Sequence, residues 1–352
     1  MPKIVHVKGT GTIGEPLIGL LADNKEAFGI DEVTFHKRTP LVTERGKVND
    51  LIRRGAVLVV DEDRWTTFEE LGHVPKYETR EAIERATVVI DCTPAGNDNK
   101  VEYYEQAKGP VGFLAQGSEF GFGKMYARGV NDEALVRGED RFLHIVSCNT
   151  HNIAVLLKTL AFDEDGTCHL EDGRFICIRR ANDISQDGGF VPSPTVERHK
   201  DERFGTHHAR DAHHLFETLG YDLDLYSSAL KLNSQYMHAI HFSITLDHDV
   251  TLDEVKERLI SNPRVAISYK RSANQIFSFG RDHGYYGRIL SQTVIAIETL
   301  AVRGGNQVVG FCFTPQDGNP LLSTVAAMLW YLDPETMEDR LDILRPYLFQ
   351  EI

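Results

Sequence analysis

Ile4-Val5-His6-Val7 runs into Gly9-Thr10-Gly11-Thr12-Ile13-Gly14, and Leu17, Ile18, Leu20 and Leu21 follow at helical spacing. An apolar β-rich run, a glycine turn and an apolar helix in that order read as a strand–turn–helix unit. Glycines let the backbone come close to a ligand, and a helix start offers unpaired N–H groups and the positive end of a dipole. Gly9, Gly11 and Gly14, with Thr12 and Ile13 between them, therefore read as a cradle for the pyrophosphate of a dinucleotide. The alternation continues outward. Residues 31–38 (Val33 and Phe35 alternating) and 56–61 read as strands and 81–85 as helix. Residues 86–92 form a strong strand ending in Thr93-Pro94-Ala95-Gly96, and 111–115 and 142–147 are further strands. Strands alternating with helices predict parallel βαβ units and a doubly wound sheet.

Beyond residue 147 the texture changes. Residues 174–180 and 241–246 alternate as half-exposed strands do, 253–259 has helical period, and 294–302 and 307–314 read as paired strands about Gly304-Gly305-Asn306. Residues 321–332 form an apolar helix, and 334–347 read as a second helical piece. The fold class is thus α/β: an N-terminal Rossmann-type dinucleotide-binding domain (1–147), an α+β catalytic domain with a mainly antiparallel sheet (148–315), and C-terminal helices (316–352).

The 352 residues suit two domains, and 41% hydrophobic content supplies a core. Lys and Arg total 38 against 52 Asp and Glu, a net charge of −14. This excludes sequence-independent nucleic-acid binding over the whole surface and leaves room for a local basic pocket. No apolar run approaches the ~20 residues of a membrane span. Residues 1–9 lack a signal-peptide core, so a cytoplasmic protein is expected. Five cysteines, none in a Cys-x-x-Cys pair, argue against a disulfide framework or a zinc ribbon.

Four clusters bear on chemistry. His36-Lys37-Arg38-Thr39 ends the second strand without the acid that an NAD ribose usually meets. Its basic pair suits a 2′-phosphate and favours NADP over NAD; the plain alternative is a solvated strand end. Ser147-Cys148-Asn149-Thr150-His151 lies where a strand enters an apolar helix. The helix dipole there favours a thiolate able to attack a carbonyl, with Asn149 or backbone N–H groups steadying the oxyanion; a buried small hydrophobe is the other reading of Cys148. Arg179-Arg180 follows a strand and either faces a phosphate or is solvated. The histidine patch from His207-His208 to His213-His214 reads as an anion contact or a solvated polar loop. No metal is expected there, because no second ligand cluster of usual spacing accompanies it. His238 and His241 lie just before a strand and, by alternation, on opposite faces.

Together these segments resemble the archaeal-type (type II) phosphorylating glyceraldehyde-3-phosphate dehydrogenases. The resemblance is carried, in order and spacing, by Gly9–Gly14, Asp91–Gly96, Gln116-Gly117-Ser118-Glu119, Val146–Thr150, Ile178–Ala181 with Asp183, Pro194–Glu197, His207-His208 with Asp211, Met237-His238 and Ser272–Ile276. It implies glycolytic oxidation of glyceraldehyde 3-phosphate by NADP (or NAD) and inorganic phosphate, in a homotetramer. It makes Cys148 the nucleophile, His238 the general base (His241 ranking lower) and Asn149 a catalytic partner. Thr150, His151, Arg179, Arg180, His207 and His208 become substrate or phosphate contacts. Lys37, Arg38, Thr93, Pro94, Gly117, Asp183 and Asn319 join the glycine turn as cofactor contacts. It also implies that the C-terminal helices pack back on the dinucleotide-binding domain. The chain departs from the family pattern at His151-Asn152, at Ala209-Arg210, in a longer 198–230 segment and at Thr314-Pro315-Gln316-Asp317. These departures keep two alternatives open: a relative acting on another aldehyde or acyl phosphate, and a non-catalytic NADP- or redox-sensing protein.

Overall fold

Val-rich stretches make the first sheet. The computed structural model describes residues 2–184 and 188–352, which fall into two compact units. The first unit consists of Met1–Lys124, Val136–Ile145 and Thr324–Ile343. The strands of the first sheet are β1 (Ile4–Lys8), β2 (Glu32–His36), β3 (Val57–Val60), β4 (Tyr77–Glu78), β5 (Val88–Asp91), β6 (Gly112–Gly117), β7 (Lys124–Tyr126) and β8 (Phe142–Val146). They lie in the order β4-β3-β2-β1-β5-β6-β8-β7, with β4 through β6 parallel. Every residue of β1 and β5 is buried, as expected for central strands covered on both faces. The chain builds outward from β1 to β4, then returns to place β5 on the other side of β1. The strand order reverses there, the switch point at which open α/β sheets bind ligands, and the glycine turn follows β1. The Rossmann-type expectation holds for this sheet, with edges moved by a residue or two: β2 stops at His36, leaving Lys37 and Arg38 beyond the strand.

Part of the helix Asn319–Leu332 belongs to this unit. Gln116 Nε2 donates to Thr324 Oγ1 at 2.6 Å, and the Tyr331 hydroxyl donates to Asp140 O at 2.7 Å. A Cβ on Gly112 would lie 2.4 Å from the Tyr331 ring, so β6 needs glycine where that ring approaches. The expected helix over 334–347 is split into Met337–Leu341 and a 3-10 segment Asp342–Tyr347, because Pro346 has no N–H to continue α-helical bonding.

The second unit, Met125–Leu135, Val146–Ser323 and Leu344–Ile352, carries β9 (Leu170–Arg179), β10 (Thr195–Val196), β11 (Leu225–Lys231), β12 (His238–Leu246), β13 (Val265–Ser268), β14 (Thr293–Ala296), β15 (Ala301–Arg303) and β16 (Gln307–Thr314). The order is β10-β11-β9-β12-β16-β14-β13, with β15 on β16. Only β11–β9 and β13–β14 run parallel, so the sheet is mixed and mostly antiparallel. Burial alternates along β12, with His238, Ile240, Phe242, Ile244 and Leu246 inside. The expected strand over 294–302 breaks at a 3-10 turn, Ile297–Thr299. There Thr299 Oγ1 donates to Ala296 O (2.7 Å) and accepts from Phe311 N–H (2.8 Å), replacing ladder bonds. The helix Cys148–Leu160 lies in the core of this unit, with Ile153 to Leu157 fully buried. Among the described residues no helix is long and apolar enough to cross a membrane.

Candidate active site

The glycine turn is held by contact, not by composition alone. Gly9 has φ +99°, and a Cβ on Gly14 would lie 2.1 Å from Gly9 O. A Cβ on Gly11 would meet nothing within 4 Å, so the backbone there faces open space. No side chain caps the helix Gly14–Asp23, whose N-cap is Ile13. A helix start without a side-chain cap, over an open glycine backbone, fits a pyrophosphate. Beside this turn Asp91 accepts from Thr93 N–H (2.8 Å), Thr93 Oγ1 (2.6 Å), Asn99 Nδ2 (2.7 Å) and the Tyr104 hydroxyl (2.6 Å), which fixes the Thr93-Pro94 corner. Gly117 ends β6 at φ +83°.

The end of β2 is not devoid of acid. The 3-10 segment Val42–Glu44 brings Glu44 to Lys37 Nζ at 2.5 Å and to Lys47 Nζ at 2.9 Å, and Lys47 also reaches Glu15 at 3.3 Å. Burial pushes the Glu44 carboxyl up, but hydrogen bonds from Lys37 and Lys47 overcome this and hold it below its ordinary range. Lys37 is thus buried and paired, while Arg38 is exposed. Local reading missed Glu44 because it lies seven residues beyond Lys37 and outside any strand.

In the second unit, Ser147 caps the helix Cys148–Leu160, its Oγ accepting from Thr150 N–H at 3.4 Å. Cys148 and Asn149 carry the first two helical N–H groups, which helix geometry leaves without an intrahelical acceptor. Asn319 Nδ2 donates to Cys148 O (2.8 Å) and Gln292 O (3.2 Å), leaving its own buried Oδ1 without a donor among the described residues. Such an orphan acceptor fits a carboxamide N–H, as a nicotinamide ring would supply. Removal from water, with Asp317 and Asp183 nearby, pushes the Cys148 thiol up to about 12; Arg180 and Arg179 pull the other way.

The side chains after Cys148 turn inward. Asn149 belongs to a buried chain of bonds: Cys312 Sγ donates to Asn152 Oδ1 (3.2 Å), Asn152 Nδ2 to Thr314 Oγ1 (2.8 Å), and Thr314 Oγ1 to Asn149 Oδ1 (3.0 Å). Asn149 Nδ2 then meets His208 Nε2 (3.2 Å), and His208 Nδ1 meets Thr206 Oγ1 (3.0 Å). Only one tautomer of His208 serves this order: Nε2 accepts and Nδ1–H donates. Burial, with His207 beside it, holds His208 well below its usual value, consistent with a neutral ring. Asn149 is therefore spent on this chain, Thr150 bonds Ser147 Oγ (2.9 Å), and His151 joins Ser147 O (3.1 Å) and Ser323 Oγ (2.8 Å). Asn149, Thr150 and His151, expected as oxyanion or phosphate contacts, here make buried internal pairs.

His238 opens β12 rather than preceding it, and is 6% exposed. Burial, then the charges of Arg180, Arg179 and Lys231, hold it well below the usual histidine value. Arg180 N–H donates to His238 Nδ1 at 2.9 Å, so a neutral ring keeps its proton on Nε2. Gln316 Oε1 accepts from His238 N–H (3.0 Å), which turns the Gln316 amide nitrogen toward His238 Nε2 at 2.6 Å. Two donors thus face each other, and the site is one acceptor short. The expected base at Nε2 is narrowed by this: as arranged, the ring offers a proton. His241 lies on the other face of β12 with its ring on Phe311, centroids 4.9 Å apart, and does not join His238.

Arg179 pairs with Glu197, and Arg180 with Asp183 (3.0 Å) and Asp317 (3.5 Å). Both keep a buried Nε–H without an acceptor among the described residues. Burial pushes the Asp317 carboxyl up while Arg180 and Arg288 draw it down, and its φ of +62° is rare for a non-glycine residue. Sequence reading flagged Thr314–Asp317 only as a departure; its contacts with His238 and Arg180 were not legible from composition. His207 to His214 are helical, in His207–Glu217, not a loop, with His208 and His213 buried. His207 sits against His208, ring centroids 3.9 Å apart.

The Rossmann-like unit fits a dinucleotide cofactor, and the mixed, mostly antiparallel unit bears a helix-terminal thiol and a neutral buried imidazole. No family model matches the chain. Individual relatives do. A glyceraldehyde-3-phosphate dehydrogenase of Pyrobaculum islandicum is 25% identical over 317 residues, covering 85% of this chain and 84% of that protein. Those of Methanobacterium bryantii and Methanococcoides burtonii are 27% identical over 277 residues and 28% over 282, each covering 75% of this chain and 74% of theirs. The chain is thus similar over most of its length, at 25–28% identity, to archaeal glyceraldehyde-3-phosphate dehydrogenases.

Proposed function

We propose that the protein is a phosphorylating aldehyde dehydrogenase that converts glyceraldehyde 3-phosphate, NADP or NAD and inorganic phosphate into an acyl phosphate. The observation that carries this reading is Cys148 at the first turn of a helix, in a unit that also holds neutral His238 and two arginines with unspent Nε–H donors. Attack of Cys148 sulfur on the aldehyde carbon breaks S–H, forms S–C and leaves the proton on the former carbonyl oxygen as a thiohemiacetal. His238 Nε2–H supplies the donor for that oxygen, which is the acceptor the Gln316 contact lacks. To act as base instead, the ring must carry its proton on Nδ1, which requires Arg180 N–H to let go. The dinucleotide, held by the glycine turn and the Thr93-Pro94 corner, would supply the hydride acceptor. As the hydride leaves carbon, the hydroxyl proton passes to His238 Nε2, which accepts it once the ring's own proton has moved to Nδ1, and the thioester results. Phosphate then attacks the thioester carbonyl, C–S breaks, and sulfur regains a proton. Arg179 and Arg180 bind the anionic oxygens through charge-assisted bonds, with His207 as a further contact. The same reading makes the protein a cytoplasmic homotetramer, with 1–147 binding cofactor and 148–315 acting on substrate.

Gln316 and Asp317, in contact with His238 and Arg180, favour a second reading: a relative with another aldehyde substrate. The test follows nicotinamide absorbance with glyceraldehyde 3-phosphate, NADP or NAD, with and without phosphate, beside Cys148→Ala. Phosphate-dependent reduction that vanishes in the variant supports the first reading. Cofactor binding without turnover overturns it and points to the second; slow alkylation of Cys148 under every condition, with no turnover of any aldehyde, leaves the sensing protein.

A further inference from the structure

Apart from this site, the far end of the helix His207–Glu217 gathers His213, His214 and Glu217, with ligand atoms all within 4.8 Å of one another. His213 is 1% exposed, and its Nδ1 lies 3.0 Å from Leu223 O. A carbonyl oxygen only accepts, so Nδ1 carries a proton and Nε2 is the nitrogen left for other partners. Nε2 points at carboxylates: Glu217 Oε1 at 3.2 Å and Asp222 Oδ1 at 3.7 Å. The other Glu217 oxygen meets His214 Nδ1. A positive centre pairs this nitrogen with the carboxylates, either a proton on Nε2 or a metal ion held among the three side chains.

We propose that His213 Nε2, His214 Nδ1 and Glu217 form a binding site for a divalent metal ion of the zinc class, with Asp222 at its rim. Ligand atoms about 2.0–2.1 Å from a tetrahedral ion lie roughly 3.3 Å from each other, close to the His213–Glu217 separation. The Nδ1–H bond to a main-chain carbonyl is the partner that orients a metal-ligating histidine. The Phe204 ring packs against both imidazoles, at 4.9 Å and 6.2 Å between centroids, and limits their rotation. A cation here also sits at the negative end of the helix dipole. Sequence spacing hid the site because Glu217 comes one helical turn after His213 and Asp222 only after the helix has ended. The cluster His169, Asp247 and His248 is weaker, since both nitrogens of His169 already meet carboxylates, Asp247 at Nδ1 and Asp163 at Nε2.

The test titrates Co²⁺ into chelator-stripped full-length protein and follows visible absorption, then adds Zn²⁺. His214→Ala and Glu217→Gln alter half-exposed or exposed side chains, and circular dichroism verifies that they fold. The expected result is a cobalt band displaced by zinc, with affinity at least about tenfold weaker in both variants and unchanged in His169→Ala. A folded wild-type protein without a band, or a band that survives both variants and disappears in His169→Ala, overturns the assignment.

Discussion

Cys148 sits where a helix dipole and two arginines favour a thiolate, yet loss of water and the carboxylates of Asp317 and Asp183 win, and the thiol is pushed up to about 12. Only the thiolate is alkylated, so in the free protein the rate at Cys148 should be slow near neutrality. It should climb about tenfold per pH unit toward that value. Peptide mapping after timed iodoacetamide treatment reads this; a fast rate flat between about pH 7 and 9 contradicts it. Asp317→Asn removes one opposing charge, and asparagine tolerates the left-handed backbone at φ +62°. The variant should alkylate faster at a given pH, the expected direction when a neighbouring negative charge is removed. An unchanged profile would mean that desolvation alone sets the thiol.

At the scale of elements, the proposed cofactor preference turns on the segment after β2. Glu44 neutralises Lys37 and Lys47, the two cations best placed to meet a 2′-phosphate. Glu44→Gln should tighten NADP by roughly tenfold while weakening NAD or leaving it unchanged, measured by fluorescence titration. An unchanged ratio would show that the phosphate is read elsewhere. The buried chain from Cys312 to Thr206 makes a second prediction. Thr314→Val leaves Asn149 Oδ1 and Asn152 Nδ2 unpaired and should cost about 1–3 kcal/mol in urea unfolding. These two elements also mark where sequence reading stops. The strand–glycine–helix start was legible because period and turn chemistry are local. The thiol at a helix start was legible because a strand end and an apolar helix flank it. Glu44, Gln316 and Asp317 were not, because loops and chain reversals bring them to their partners. Asn149 and His151 read as ligand groups because they follow a thiol at a helix start; their buried partners come from distant segments and were not legible.

For the whole molecule, the family reading predicts that sedimentation equilibrium returns a tetramer of the 39.6 kDa chain at micromolar concentration; a monomer would separate this protein from that expectation. The division into two units carries a consequence of another kind. Each unit is assembled from three stretches, six in all, so the chain changes unit five times. A chimera made by one exchange between residues 145 and 146 would take its cofactor sheet from one parent. It would keep Thr324–Ile343 from the other, a stretch whose Tyr331 ring fits only against glycine at 112. One crossover therefore does not exchange the first unit whole between relatives. The two halves must be inherited together, or exchanged at several points at once.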